Sequence, residues 1–390
     1  MESTYLRGME EHLRQCVEKG EIAGANFLLF RDGREEAYFE TGFASLEERK
    51  PIKRDTIFSL YSMSKPVTAA AVMKLFEMGK IDLQDPVSRY LPGFRNQRAA
   101  EGDVDVPVHR ACTLRDLLSM TSGLPYNGEE SRPAREAGKV FQELENRSFG
   151  DNPMTTREFA DRVGSCPLSF HPGERWMYGT SADVLGAVVE AASGKRFGDF
   201  LEEFFFSPLC MPDTGFYVPA EKQGRLSRAY TETPEGLRRY EGHHLGIFRE
   251  RTEPPAFESG GAGLFTTIDD YARFGRMLLR GGELEGKRIL SPRTVEYMTS
   301  CGLNRAQQSD FDLWPGLNGH TYGNLMRVLI EPGLAVVNGS RGEYGWDGWL
   351  GPYFLNSPRD GITFLLMYQR TDSGVTPMTR RLKNMLFAGL

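Results

Sequence analysis

A chain of 390 residues with 40% apolar and 26% charged side chains has ordinary globular composition, long enough to bury a large core in two domains or in one domain with two lobes. The net charge of −6 and the lack of any basic run argue against nucleic acid or an anionic membrane as partner, which leaves small molecules. Cys16, Cys112, Cys166, Cys210 and Cys301 are odd in number, scattered and never in a C-x-x-C pair, so they predict reduced thiols and exclude a disulfide framework or a zinc site.

The first 21 residues are rich in charge, with no apolar core and no small-residue cleavage site, so no signal peptide is expected. No apolar stretch reaches the ~20 residues of a membrane span, and a cytoplasmic location follows as the expectation. Residues 6–19 read as a helix. Residues 24–31 and 36–42, joined by Asp32-Gly33, read as a hairpin. The stretch Ser59-Leu-Tyr-Ser62-Met-Ser-Lys65-Pro66 then opens an apolar helix that ends near Gly79.

A loop-rich connector at 81–92 leads to a helix that starts near Thr113 and stops before Gly123. Residues 127–152 are polar and charged, which predicts a lid or a solvated excursion. Helices are predicted at 156–163, 181–193 and 197–206, and Thr267 caps another at 268–280. Strands are predicted at 322–330, 334–338, 352–356 and 362–369, with a turn at 357–361, and a closing helix at 376–387. Strands at both ends with helices between them suggest one sheet built from both termini beside a helical lobe.

Ser62 and Lys65 stand three apart, so a helix starting here puts both side chains on one face. A serine hydroxyl needs a base, and a lysine serves as one only when burial or nearby cations hold the amine neutral. Backbone N–H groups at a helix start also face developing negative charge. A serine there is equally a plain N-cap, so partners must decide.

Two stretches offer partners. Pro172-Gly-Glu-Arg-Trp-Met-Tyr178-Gly-Thr180 sets a tyrosine on a Gly-flanked turn before a helix, where a phenol can relay a proton provided a nearby ammonium lowers its pKa. Glu343-Tyr-Gly-Trp346-Asp347-Gly348-Trp349 carries glycines that let a second backbone or a ligand approach, and an exposed N–H there is half of an oxyanion hole. Core packing explains either stretch taken alone. His243-His244 lacks a spaced acidic or cysteine partner and reads as solvated loop, so no metal site is expected.

Together these stretches resemble the penicillin-recognising serine hydrolases: class C β-lactamases, D-alanyl-D-alanine peptidases and family VIII carboxylesterases. The order Ser-x-x-Lys, Tyr, Gly-rich strand is supported by the accessory stretches Leu117–Leu124 and Gly260–Thr267. The resemblance implies an α/β (α+β) fold of β-lactamase/transpeptidase type, an antiparallel sheet flanked by helices with a second, all-helical lobe. It implies one catalytic domain over 1–390, with lobes of residues 1–79 plus 255–390 and of residues 80–254. Carried over, Ser62 is acylated, Lys65 activates it, Tyr178 passes a proton to the leaving group, and the N–H groups of Ser62 and Trp349 form the oxyanion hole. Which of Lys65 and Tyr178 takes the first proton stays open. No cofactor is implied, and the oligomeric state is not fixed.

Two departures bear on substrate. Where β-lactamases carry Lys-Thr-Gly this chain has Trp346-Asp347-Gly348, so a substrate carboxylate loses its cation and meets an acid. Thr180 stands where the family has the asparagine that grips a β-lactam side chain. The reading is a serine hydrolase of small ester, amide or lactam substrates, most like a carboxylesterase. The alternatives are a β-lactamase or D-amino-acid peptidase, disfavoured by the missing export signal, an acyltransferase with an acceptor pocket at Trp176, Trp346 and Trp349, and a binding protein without turnover.

Overall fold

Eight strands form one antiparallel sheet in the order His320–Tyr322, Arg327–Leu329, Tyr344–Asp347, Tyr353–Ser357, Ile362–Tyr368, Gly24–Arg31, Arg34–Ser45 and Lys50–Pro51. The computed structural model describes residues 3–300 and 302–390, so the reading of Cys301 lies outside the described residues; Cys16, Cys112, Cys166 and Cys210 are unpaired. The two chain ends meet at the sheet centre, where Ala25 opposes Tyr368 and Arg31 opposes Ile362.

The central strands read as continuous apolar runs because helices cover both faces. Side chains alternate across the sheet, so Phe27, Leu29, Phe364 and Leu366 join Leu13, Leu382 and Leu386 under the helices Ser3–Glu18 and Pro377–Ala388. Leu28, Leu365 and Met367 face the other core, beneath the helix Ile268–Leu279. Asp32 and Gly33 both have positive φ, 49° and 80°, as a two-residue type I′ hairpin requires.

Most helices lie between the two halves of the sheet, with two small hairpins at Arg98–Glu101/Val104–Pro107 and Tyr230–Thr233/Gly236–Arg239. The helix Lys65–Glu77 is buried almost all round, and its run Ala69-Ala70-Ala71 suits close packing on the equally apolar helix Ser181–Ser193. Among the described residues no helix is long and apolar enough to cross a membrane.

Four segment readings change. The expected strand 322–330 is a hairpin, because Leu325 takes a left-handed φ of 58° and the Gly323 N–H bonds the Met326 carbonyl. Residues 334–338 form no strand, and Leu334 and Val336 are exposed after a short turn at Pro332–Leu334. Residues 197–206 are α-helical only to Leu201 and finish as a π-turn. Within 127–152 lies the helix Arg132–Arg147, capped by Ser131; Ala137, Val140, Phe141 and Leu144 make a helical stripe inside polar sequence. Phe141 packs edge-on to Phe159, 5.0 Å between ring centres.

That packing makes the segment part of the core. Phe141→Ala should lower stability by about 3–5 kcal/mol in urea unfolding; a loss under about 1 kcal/mol would mean a loosely seated lid.

Candidate active site

Tyr61, immediately before the serine, holds a φ of +46°, which a bulky side chain adopts only under constraint. Its ring is wholly buried and packs 5.1 Å from Trp349. From that kink the chain enters a 3₁₀ turn, Tyr61–Ser64, and the α-helix begins at Lys65. Ser62 therefore sits in the first turn, where N–H groups lack helical partners.

Lys65 is 0% exposed. Its Nζ donates to Ser62 Oγ at 3.0 Å, Tyr126 Oη at 3.1 Å and the Gly261 carbonyl at 2.8 Å. Among the described residues no carboxylate bonds to it. Burial pushes the amine down to about 7, while the charges of Asp183 and Asp347 pull the other way. Near neutral pH a large share is thus free base, whose lone pair can take the serine proton while its two hydrogens hold Tyr126 and Gly261.

The Tyr178 oxygen accepts from the Trp346 indole N–H at 2.9 Å and shares a hydrogen bond with Ser62. Lys65 Nζ stands 4.6 Å from the centre of its ring. The expected lowering of this phenol is not found: burial outweighs the hydrogen bonds with Ser62 and Trp346 and pushes it up, and the charges of Asp347 and Asp183 push the same way. Tyr178 keeps its proton at neutral pH and can donate it.

The Tyr178 turn is set by Gly179, where a Cβ would lie 1.9 Å from the Leu124 carbonyl oxygen. Thr180, expected to touch substrate, is buried, and its hydroxyl donates to the Pro125 carbonyl at 3.2 Å, which fixes the residue before Tyr126. Gly348 does not face the cleft either. A Cβ there would lie 2.1 Å from the Leu60 carbonyl oxygen, so its bareness lets the strand end approach the Ser62 turn. That approach brings Trp349 into the same cleft lining as Ser62, and the backbone N–H of Trp349 meets no protein acceptor among the described residues. Asp347 meets Arg327, with Nη1 to Oδ1 at 2.6 Å.

Above Ser62 opens a cleft of about 400 Å³. Tyr126, Tyr178, Trp314, Trp346 and Trp349 wall it, with Leu245, Leu317 and Val375. Asp347 and Asp372 supply its charge; among the described residues no lysine or arginine lines it. Trp176 is buried behind Tyr178, and Trp314 takes the wall position expected of it. His244 is no solvated loop residue: it lines the cleft and packs 4.3 Å from Trp349.

Tyr126 and Asp183 are absent from the sequence-derived set. Asp183 is buried in the first turn of the helix Ser181–Ser193, where its Oδ1 accepts from the Ser259 hydroxyl and, at 3.0 Å, from the Gly261 N–H. It thereby holds the carbonyl that grips Lys65. Its nearness to Tyr178 in sequence is the only signal, and the fold alone pairs it with Gly261.

Glu101, His109 and His171 bring ligand atoms within 4.8 Å of one another. The two imidazoles stack at 3.6 Å and 10°. An ion in the plane of one ring lies well out of the plane of the other, and His171 Nδ1 already accepts the His109 N–H. The cluster does not fit a metal without ring rotation.

The beta-lactamase family model matches residues 9–386. Protein Rv1367c of Mycobacterium tuberculosis is 31% identical over 373 residues, covering 93% of this chain and 90% of its own. Esterase EstB of Burkholderia gladioli is 30% identical over 387 residues, covering 96% and 93%. Among solved structures, EstCE1, described as a hydrolase with promiscuous acyltransferase activity, superposes with a TM-score of 0.82 at 25% identity over 98% of both chains.

The site geometry fixes a pH dependence. Labelling of Ser62 by a fluorophosphonate should rise with pH through a midpoint near 7, as Lys65 loses its proton. Asp183→Asn removes a charge that favours the ammonium and should move that midpoint to lower pH; an unmoved midpoint would exclude Asp183 from setting Lys65.

Proposed function

The chain belongs to the beta-lactamase family and is a serine hydrolase, and on that premise we propose that it works through an acyl-enzyme on Ser62 with small esters or amides that carry no carboxylate, most like a family VIII carboxylesterase. The observation that carries this reading is the Ser62 hydroxyl held 3.0 Å from a buried Lys65, whose pKa burial lowers to about 7, beneath an aromatic cleft.

In the proposed cycle neutral Lys65 takes the Ser62 proton as Oγ attacks the acyl carbonyl. The resulting oxyanion lies against the N–H groups of Ser62 and Trp349, each worth roughly 3 kcal/mol to the transition state. As the tetrahedral species collapses, Tyr178 gives its proton to the leaving oxygen or nitrogen and recovers one from Lys65. Water then attacks the acyl-enzyme with the same groups in reverse order.

The strand motif supports a preference against anionic substrates. Trp346 stands where the family's strand motif has its carboxylate-binding lysine and Asp347 where it has the threonine, and Arg327 behind Asp347 is spent on holding it. Lactams and D-peptides, which carry a carboxylate, lose their anchor. Acyl transfer to an alcohol is the second reading, favoured by the aromatic wall, which keeps water scarce at the acyl-enzyme.

A short-chain p-nitrophenyl ester and a chromogenic cephalosporin separate these readings. Ester turnover with an acyl adduct on Ser62 and little cephalosporin turnover is expected, and Ser62→Ala should cut ester kcat by at least roughly 10³-fold. Unchanged turnover in Ser62→Ala would remove the nucleophile assignment. Ester exchange products with added butanol would mark acyl transfer.

A further inference from the structure

The cleft is apolar in its walls yet charged at one end, and that charge has a single sign. Asp372 is exposed at the mouth, with a left-handed φ of 53° that fixes its direction. Its Oδ1 accepts the Trp349 indole N–H at 2.8 Å; no donor to its Oδ2 is recorded among the described residues. The nearest arginine in sequence, Arg370, spends its guanidinium on the Glu21 carbonyl, on Glu232 and, through Nε at 3.3 Å, on the Ser373 hydroxyl, and does not pair with Asp372.

Asp347 adds a second open oxygen. Its Oδ1 is held by Arg327, while a Cβ on Gly374, a residue of the cleft lining, would come within 3.0 Å of Oδ2. Among the described residues the lining holds no lysine or arginine, and of the two acids Arg327 reaches only Asp347, from behind. His244 is pushed towards its neutral form by burial, against the pull of Asp372, and Lys65 lies beneath the floor, bonded to Ser62, Tyr126 and Gly261.

A carboxylate beside tryptophan rings is a surface that favours an organic cation, by Coulomb attraction and by the negative faces of the rings. Resting on the hydrolase reading of the same site, we propose that the preferred ester or amide carries an ammonium group, which Asp372 receives at the mouth of the cleft, aided by the open oxygen of Asp347, while the acyl carbonyl reaches Ser62. Asp372 is then a specificity-determining residue and the indole of Trp349 its positioning partner.

The test uses an isosteric pair of p-nitrophenyl esters, 4-(trimethylammonio)butanoate and 5,5-dimethylhexanoate, which differ only in nitrogen against carbon. The full-length protein should favour the cationic ester by about tenfold or more in kcat/KM at low salt, and the ratio should shrink as salt rises. Asp372→Asn keeps an acceptor for the Trp349 indole and should lower that ratio about tenfold. Butyltrimethylammonium should also slow fluorophosphonate labelling of Ser62, and butanoate should not.

Equal turnover of the two esters, or a ratio unmoved by Asp372→Asn, overturns the cation site and leaves the hydrolase standing. Protection of Ser62 by the ammonium, lost in Asp372→Asn, without turnover of either ester, supports the cation site and sinks the hydrolase reading.

Discussion

Everything at this site depends on Lys65 being buried with no carboxylate bonded to it among the described residues. An ammonium taken out of water without a counter-ion is strongly disfavoured, and the protein relieves that cost by letting the proton go. Three neutral oxygens, on Ser62, Tyr126 and Gly261, fix the amine without restoring its charge. Asp183 and Asp347 act from a distance and keep its pKa near neutrality. A contacting carboxylate would keep the lysine charged and useless as a base.

The same condition shapes the surroundings. Burial, with Asp347 and Asp183 nearby, raises the Tyr178 phenol and makes it a donor. Gly348 and Gly179 are bare because Leu60 and Leu124 present backbone carbonyls where a Cβ would stand. These contacts draw the turns carrying Ser62, Tyr126, Tyr178 and Trp349 into one cleft. Asp347 is tolerated in that cleft because Arg327 holds one of its oxygens, so the acid stands at the cleft without an ion pair to the lysine.

Much of this was legible in the chain. The Ser62–Lys65 spacing, the Tyr178 turn and the Trp346–Trp349 stretch are local patterns, and the sheet strands announce themselves as apolar runs bounded by turn residues. Other features depend on distant partners. Asp183 gains its role from Gly261 and Ser259, nearly eighty residues away, and Tyr126 from Lys65. Thr180 misled because its position matches a substrate-binding amide in relatives, whereas here Pro125 takes its hydroxyl. The helix Arg132–Arg147 was hidden by its polar face, since four apolar residues among charges look like loop until their period is counted. His244 looked solvated because nothing local reveals that Trp349 packs on it.

The most direct test is the protonation state of Lys65 itself. Carbon-detected NMR of side-chain-labelled lysine, with Lys65 assigned by its loss in Lys65→Arg, would follow its Cε resonance with pH in the resting protein. The account predicts a titration midpoint near 7, well apart from the exposed lysines. A Lys65 that stays protonated beyond pH 9 would contradict it, because a permanent ammonium cannot take the Ser62 proton.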